Sequence, residues 1–114
     1  SIVKKIFLLL LIAPVAFAET NKFSWTAPTE RVDGTKLAPI EIKEYEIRYG
    51  SSPVELKYTS VLKTKELKAQ VTVSKSGKYC YQIRTIADVA SDWSGEVCKT
   101  IAASKPKTIT LRVE

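Results

Sequence analysis

The feature that most limits how this chain can fold is a two-residue alternation of apolar and polar side chains. In residues 43–49, Tyr45, Ile47 and Tyr49 fall on one side and Glu44, Glu46 and Arg48 on the other. Successive side chains of an extended strand point to opposite faces, so this period calls for a strand with one buried and one wet face. The same period recurs further along. Leu67, Ala69, Val71 and Val73 share a face, and Tyr79, Tyr81, Ile83 and Thr85 alternate with Cys80, Gln82 and Arg84. Residues 23–25 open a strand closed by Pro28, residues 56–62 make a less regular one, and residues 96–101 another. Between them stand Asp33-Gly34, Pro39, Gly50-Ser51-Ser52-Pro53 and Ser76-Gly77, all turn or breaker signals. The pattern predicts an all-β domain of about seven short antiparallel strands packed as a sandwich.

Residues 1–18 follow a different plan. Lys4 and Lys5 precede an apolar run, residues 6–17, broken only by Pro14, and Ala16-Phe17-Ala18 gives a small-x-small sequence before Glu19. This is the layout of a secretory signal peptide with its short helix. The run would make about 18 Å of helix against a hydrocarbon core of roughly 30 Å. Cleavage after Ala18 is the expectation, and a retained membrane anchor is the alternative; only then is a membrane a partner. Loss of Lys4 and Lys5 takes the net charge from +6 to +4. The densest basic stretch, Lys57, Lys63, Lys65 and Lys68, is interleaved with other side chains and reads as a solvated face and a lysine-protected edge. Attraction to an anionic polysaccharide or lipid headgroup is the second reading, and no motif points to nucleic acid. Two cysteines, Cys80 and Cys98, agree with export to the periplasm, the medium or the cell surface. A virion or membrane-anchored location is the alternative.

Several segments carry a likeness to one family. FSWTAP at residues 23–28 resembles the second strand of a fibronectin type III domain, with Trp25 as its core tryptophan. KEYEIRYG at residues 43–50 resembles the third strand, and residues 76–101 resemble the last two strands with their loop. The loop at residues 32–40 is similar to that of bacterial and phage-encoded members. The resemblance implies an immunoglobulin-like sandwich over residues 19–103. It also implies that Tyr79 is a corner tyrosine whose hydroxyl bonds back to the backbone. Residues 19–22 are too few for the family's first strand. Residues 104–114 alternate like such a strand, as if it stood at the other end.

The chemistry follows from the residue types. Folding residues 79–87 back on residues 94–101 about Val89 sets Cys80 opposite Cys98 on the outward face. Opposed residues on paired strands are close to disulfide range, and the bond contributes about 3 kcal/mol by chain entropy. Two cysteines without histidine make a poor zinc site, so no metal is expected. With no histidine in the chain, Ser-His and Cys-His nucleophiles and histidine bases are excluded. The carboxylate pairs Glu44/Glu46 and Asp88/Asp92 read as solvated charge, and no glycine-rich phosphate loop is present. No enzyme and no cofactor are expected.

Trp25, Tyr45, Tyr49, Tyr79 and Tyr81 fall on inward phases and are expected in the core. Trp93 has two readings: a ring folded over the open end of the domain against Arg84, or an exposed binding anchor. The leading functional expectation is an exported binding or spacer module acting on a protein or glycan. Its surface is residues 29–36 with residues 88–94, including Arg31, Asp33, Lys36, Asp92 and Trp93. A structural subunit of a virion or surface assembly is the alternative, anchored by residues 6–17 or self-associating through residues 107–114. For that tail, pairing with its own domain in reversed direction is favoured over completing a neighbouring copy.

Overall fold

The computed structural model describes residues 18–51 and 58–114. Six strands follow in order: β1 Glu19–Ser24, β2 Glu44–Ser51, β3 Ser60–Thr64, β4 Lys68–Val73, β5 Gly77–Ile86 and β6 Val97–Ile101, with a single 3-10 turn at Pro39–Glu41 before β2. All pairings are antiparallel. They form a two-stranded sheet, β1-β4, and a four-stranded sheet in the order β3-β2-β5-β6. The chain is therefore all-β in two sheets, and no helix among the described residues is long and apolar enough to cross a membrane. The signal-type segment lies outside the described residues, save Ala18.

The alternation seen in the sequence is what closes the core. Ile47 from β2, Val71 and Val73 from β4, Tyr81 from β5 and Ile101 from β6 form one buried cluster between the sheets. Phe23, Trp25, Tyr49, Tyr79 and Ile83 pack against it, partly buried. Each fully buried aliphatic or aromatic side chain here stabilises by roughly 1.5–3 kcal/mol. Truncating Ile101 to alanine would cost about 2–5 kcal/mol. Trp25 stands edge-on to Tyr45 at 5.5 Å, and Tyr49 and Phe23 flank Tyr81 at 5.6 and 4.6 Å. The Asn21 side chain joins the sheets directly, its Nδ2 donating to the Tyr81 hydroxyl at 2.7 Å.

Five expectations need correction. The first strand begins at Glu19, not Phe23, and Trp25 lies just past its end; the buried Asn21 sits where alternation calls for an apolar residue. Leu67 precedes β4 and is half exposed, so only Ala69, Val71 and Val73 share the inner face. The strand sought at residues 56–62 is β3, Ser60–Thr64, and the start of the expected range lies outside the described residues. Cys80 does lie on the outward phase of β5, yet it is buried, flanked by Gly50 on one side and covered by Cys98 on the other. Finally, residues 102–114 form no strand and pair with none of the six, so the tail does not close on its own domain.

Two local devices set the start of β5. Gly77 takes φ +150°, a region side chains rarely enter, and a Cβ there would meet the Ser51 hydroxyl at 2.9 Å. Just beyond it, the Tyr79 hydroxyl donates to the carbonyl of Lys75 at 2.7 Å, tying strand to corner.

Candidate functional site

Two loops meet at one pole of the domain. The first, residues 29–41, folds on itself: Glu30 bridges Lys36, the Arg31 amide donates to the Thr35 carbonyl at 2.8 Å, and Leu37 is tucked in and buried. Its tip turns at Gly34, φ +86°, where glycine adopts the left-handed conformation without strain. Asp33 Oδ1 accepts from both the amide and the hydroxyl of Thr35, at 3.0 and 2.7 Å. Those bonds hold the Asp33 carboxyl below its ordinary range. Asp33 is thus occupied in shaping the turn.

Arg31 joins this loop to the second one. Its Nη1 donates to Asp88 at 3.0 Å and its Nη2 to Glu41 at 3.1 Å. Glu41 in turn accepts from the Ala38 amide at 2.6 Å. The hydrogen bond from Arg31 is the main cause that holds the Asp88 carboxyl below its usual range, and the same pair raises the arginine. One guanidinium therefore fixes residues 31, 41 and 88 in a common surface, although its net stabilisation is small at such exposure. Next to each of the three charged residues stands an exposed aliphatic: Val32 by Arg31, Ile40 by Glu41 and Val89 by Asp88. Lys36 is also exposed here. The grouping of the two loops, open from sequence, is set by the Arg31–Asp88 pair.

Trp93 does not belong to this pole. Ser91 and Ser94 zip residues 91–94 along β5: their amides donate to the carbonyls of Thr85 and Ile83, both at 2.8 Å. Their hydroxyls accept from the amides of the same two residues, at 2.9 and 3.0 Å. Trp93 is thereby laid on the outer face of the four-stranded sheet, half-buried, with the guanidinium of Arg48 4.3 Å and that of Arg84 4.4 Å from its ring centroid. Arg48 also lies 4.4 Å from the ring of Tyr58 and donates twice to Gln82, at 2.9 and 2.6 Å. Arg84 pairs with Glu46 at 3.4 Å. The expected contact with Arg84 is present, but the ring covers a sheet face rather than the open end. Glu46, read as solvated, is mostly covered, its side chain 13% exposed. The serines of Ser-Asp-Trp-Ser carried the signal for this arrangement, since each hydroxyl can replace a backbone partner. Asp92, between them, is exposed.

On the same outer face, Cys80 and Cys98 are direct register partners and are bonded, with Cα atoms 4.0 Å apart. Glu96 lies beside them, its carboxylate 3.4 Å from the Cys98 sulfur and hydrogen-bonded to the Tyr58 hydroxyl. The three groups Cys80, Glu96 and Cys98 fall within 4.8 Å of one another. A metal would need thiolates, which the disulfide removes. Of the carboxylates Asp88 and Asp92, the first is paired with Arg31 and the second is exposed.

No family model, no curated protein and no solved structure matches the chain.

Proposed function

We propose that the chain is an exported, non-catalytic binding module of the fibronectin type III kind whose ligand is a protein. The observation that carries the reading is the double engagement of Arg31 by Asp88 and Glu41, which joins two loops into one surface. The family assignment draws support from the strand order β3-β2-β5-β6 facing β1-β4, from Trp25 against Tyr45, and from the Tyr79–Lys75 bond. Rigid sheets that present a preset loop surface reduce the ordering cost of association. The exposed groups favour a protein over a glycan: Val32, Ile40 and Val89 are aliphatic knobs, while Trp93, the sugar-stacking candidate, is half-buried and already engaged with two arginines. The disulfide suits an oxidising compartment.

The test is affinity capture from the native surroundings with the wild-type chain and with a Val32→Asp/Val89→Asp variant. Both positions are exposed, so the variant keeps its fold. A captured protein lost from the variant supports the assignment; equal capture by both overturns it.

A further inference from the structure

The β1 strand is paired on one side only. Its inner edge joins β4, and its other edge has no partner among the described residues. That edge faces β6 across an open seam. Lys99 of β6 reaches Glu19 of β1 at 3.3 Å, and beside this ion pair runs a groove of about 430 Å³ lined by Asn21, Phe23, Tyr81 and Val97. A smaller apolar cavity of about 130 Å³ continues the seam past Trp25 towards Ile47. Val97 lies on the inward phase of β6, opposite Tyr81, yet is exposed, since no described residue covers the seam. Two buried polar atoms also have no partner among the described residues here: Asn21 Oδ1, on a residue only 5% exposed, and Trp25 Nε1. Buried polar groups are nearly always bonded, so the interior is least well satisfied behind this edge.

The complementary element is in the same chain. Ile109, Leu111 and Val113 alternate with Thr108, Thr110 and Arg112, and the three aliphatics are 93%, 91% and 97% exposed. An unpaired strand-like segment with one apolar face matches an open edge above a seam that is mixed at its rim and apolar within. Direction decides which molecule supplies it. β6 ends at Ile101, opposite Gly77, and β1 begins at Glu19, opposite Val73, so both lie at the same pole. From there the chain's own tail can enter only parallel to β1. Antiparallel entry, the direction of every pairing in this fold, starts at the far end, about 20 Å away along β1. Residues 102–107 reach at most ~20 Å fully straight, which leaves nothing for crossing between the sheets. We propose that residues 107–113 of one copy add to the β1 edge of a second copy, antiparallel, with Ile109, Leu111 and Val113 seated in the β1–β6 seam. Such a contact is head to tail and repeats into open chains. It involves the pole opposite the loop surface at its origin and does not rest on the binding-module reading.

The experiment uses the full chain as isolated. Sedimentation velocity over a concentration series should show growth from monomer to dimer and longer species, and removal of residues 104–114 should leave monomer. A peptide of residues 107–114 should bind the shortened chain, and Leu111→Asp in that peptide should weaken binding by about tenfold or more. Cross-linking separates the two molecules: a Thr20→Cys chain mixed with a Thr110→Cys chain should yield a mixed disulfide. A full chain that stays monomeric throughout would overturn the proposal. So would a double Thr20→Cys/Thr110→Cys chain that bonds within itself while the mixed single variants do not, or association that survives loss of the tail.

Discussion

The hydroxyl of Tyr79 donates a 2.7 Å hydrogen bond to the carbonyl of Lys75, four residues upstream. It spans the corner between β4 and β5, where residues 74–76 carry the chain from the two-stranded sheet to the four-stranded one. Tyr79→Phe removes the bond and keeps the ring, so it should destabilise by about 0.5–1.5 kcal/mol. Urea denaturation measures this: the midpoint should fall with no change in slope. An unchanged midpoint would mean that the corner is held by Gly77 and packing alone.

Trp93 rests on Arg48 and Arg84 at 4.3 and 4.4 Å. Cation–π contacts at partly exposed sites contribute about 0.5–1 kcal/mol each. Trp93→Ala should therefore lower stability by about 1–2 kcal/mol while leaving binding at the loop pole intact. Loss of binding without loss of stability would make Trp93 an anchor after all.

The Cys80–Cys98 bond joins direct partners on β5 and β6, 18 positions apart in sequence. Native protein should show no titratable thiol. Reduction should remove about 3 kcal/mol, lowering the melting temperature while the β-sheet circular dichroism persists.

The loop junction should respond to acid. Asp88 is held below its usual range first by the hydrogen bond from Arg31, with an added bond from the Val89 amide. A carboxyl with a depressed folded-state pKa contributes its stabilisation above the unfolded value, about 3.9, and loses it as pH falls through the folded value. Amide shifts of residues 31, 41 and 89 should accordingly be constant near neutrality and move together below pH ~4. Asp88→Asn should abolish that shared transition.

Much of this architecture was written in side-chain period. β2 and β5 were legible because each has one buried and one covered or wet face, and the Cys80–Cys98 register followed from a hairpin count. The start of β1 was hidden because Asn21, polar and buried against the Tyr81 hydroxyl, interrupts the apolar alternation. The tail misled in the opposite sense: Ile109, Leu111 and Val113 have strand period, but period shows only that a segment can pair, not with what. The two loops were legible as a candidate surface, but their grouping was not, since an ion pair between Arg31 and Asp88 leaves no periodic trace. The two serines flanking Trp93 carried a signal of another kind, hydroxyls able to replace backbone partners, which period does not register.

The central claim is that the surface joined by Arg31 is where a protein partner docks. A photo-cross-linking residue at position 89, in the native setting, tests it most directly, with position 75 at the opposite pole as control. A covalent adduct with a protein other than this chain is expected from position 89, and no such adduct from position 75. Adducts absent at 89, or equal at both positions, would contradict it.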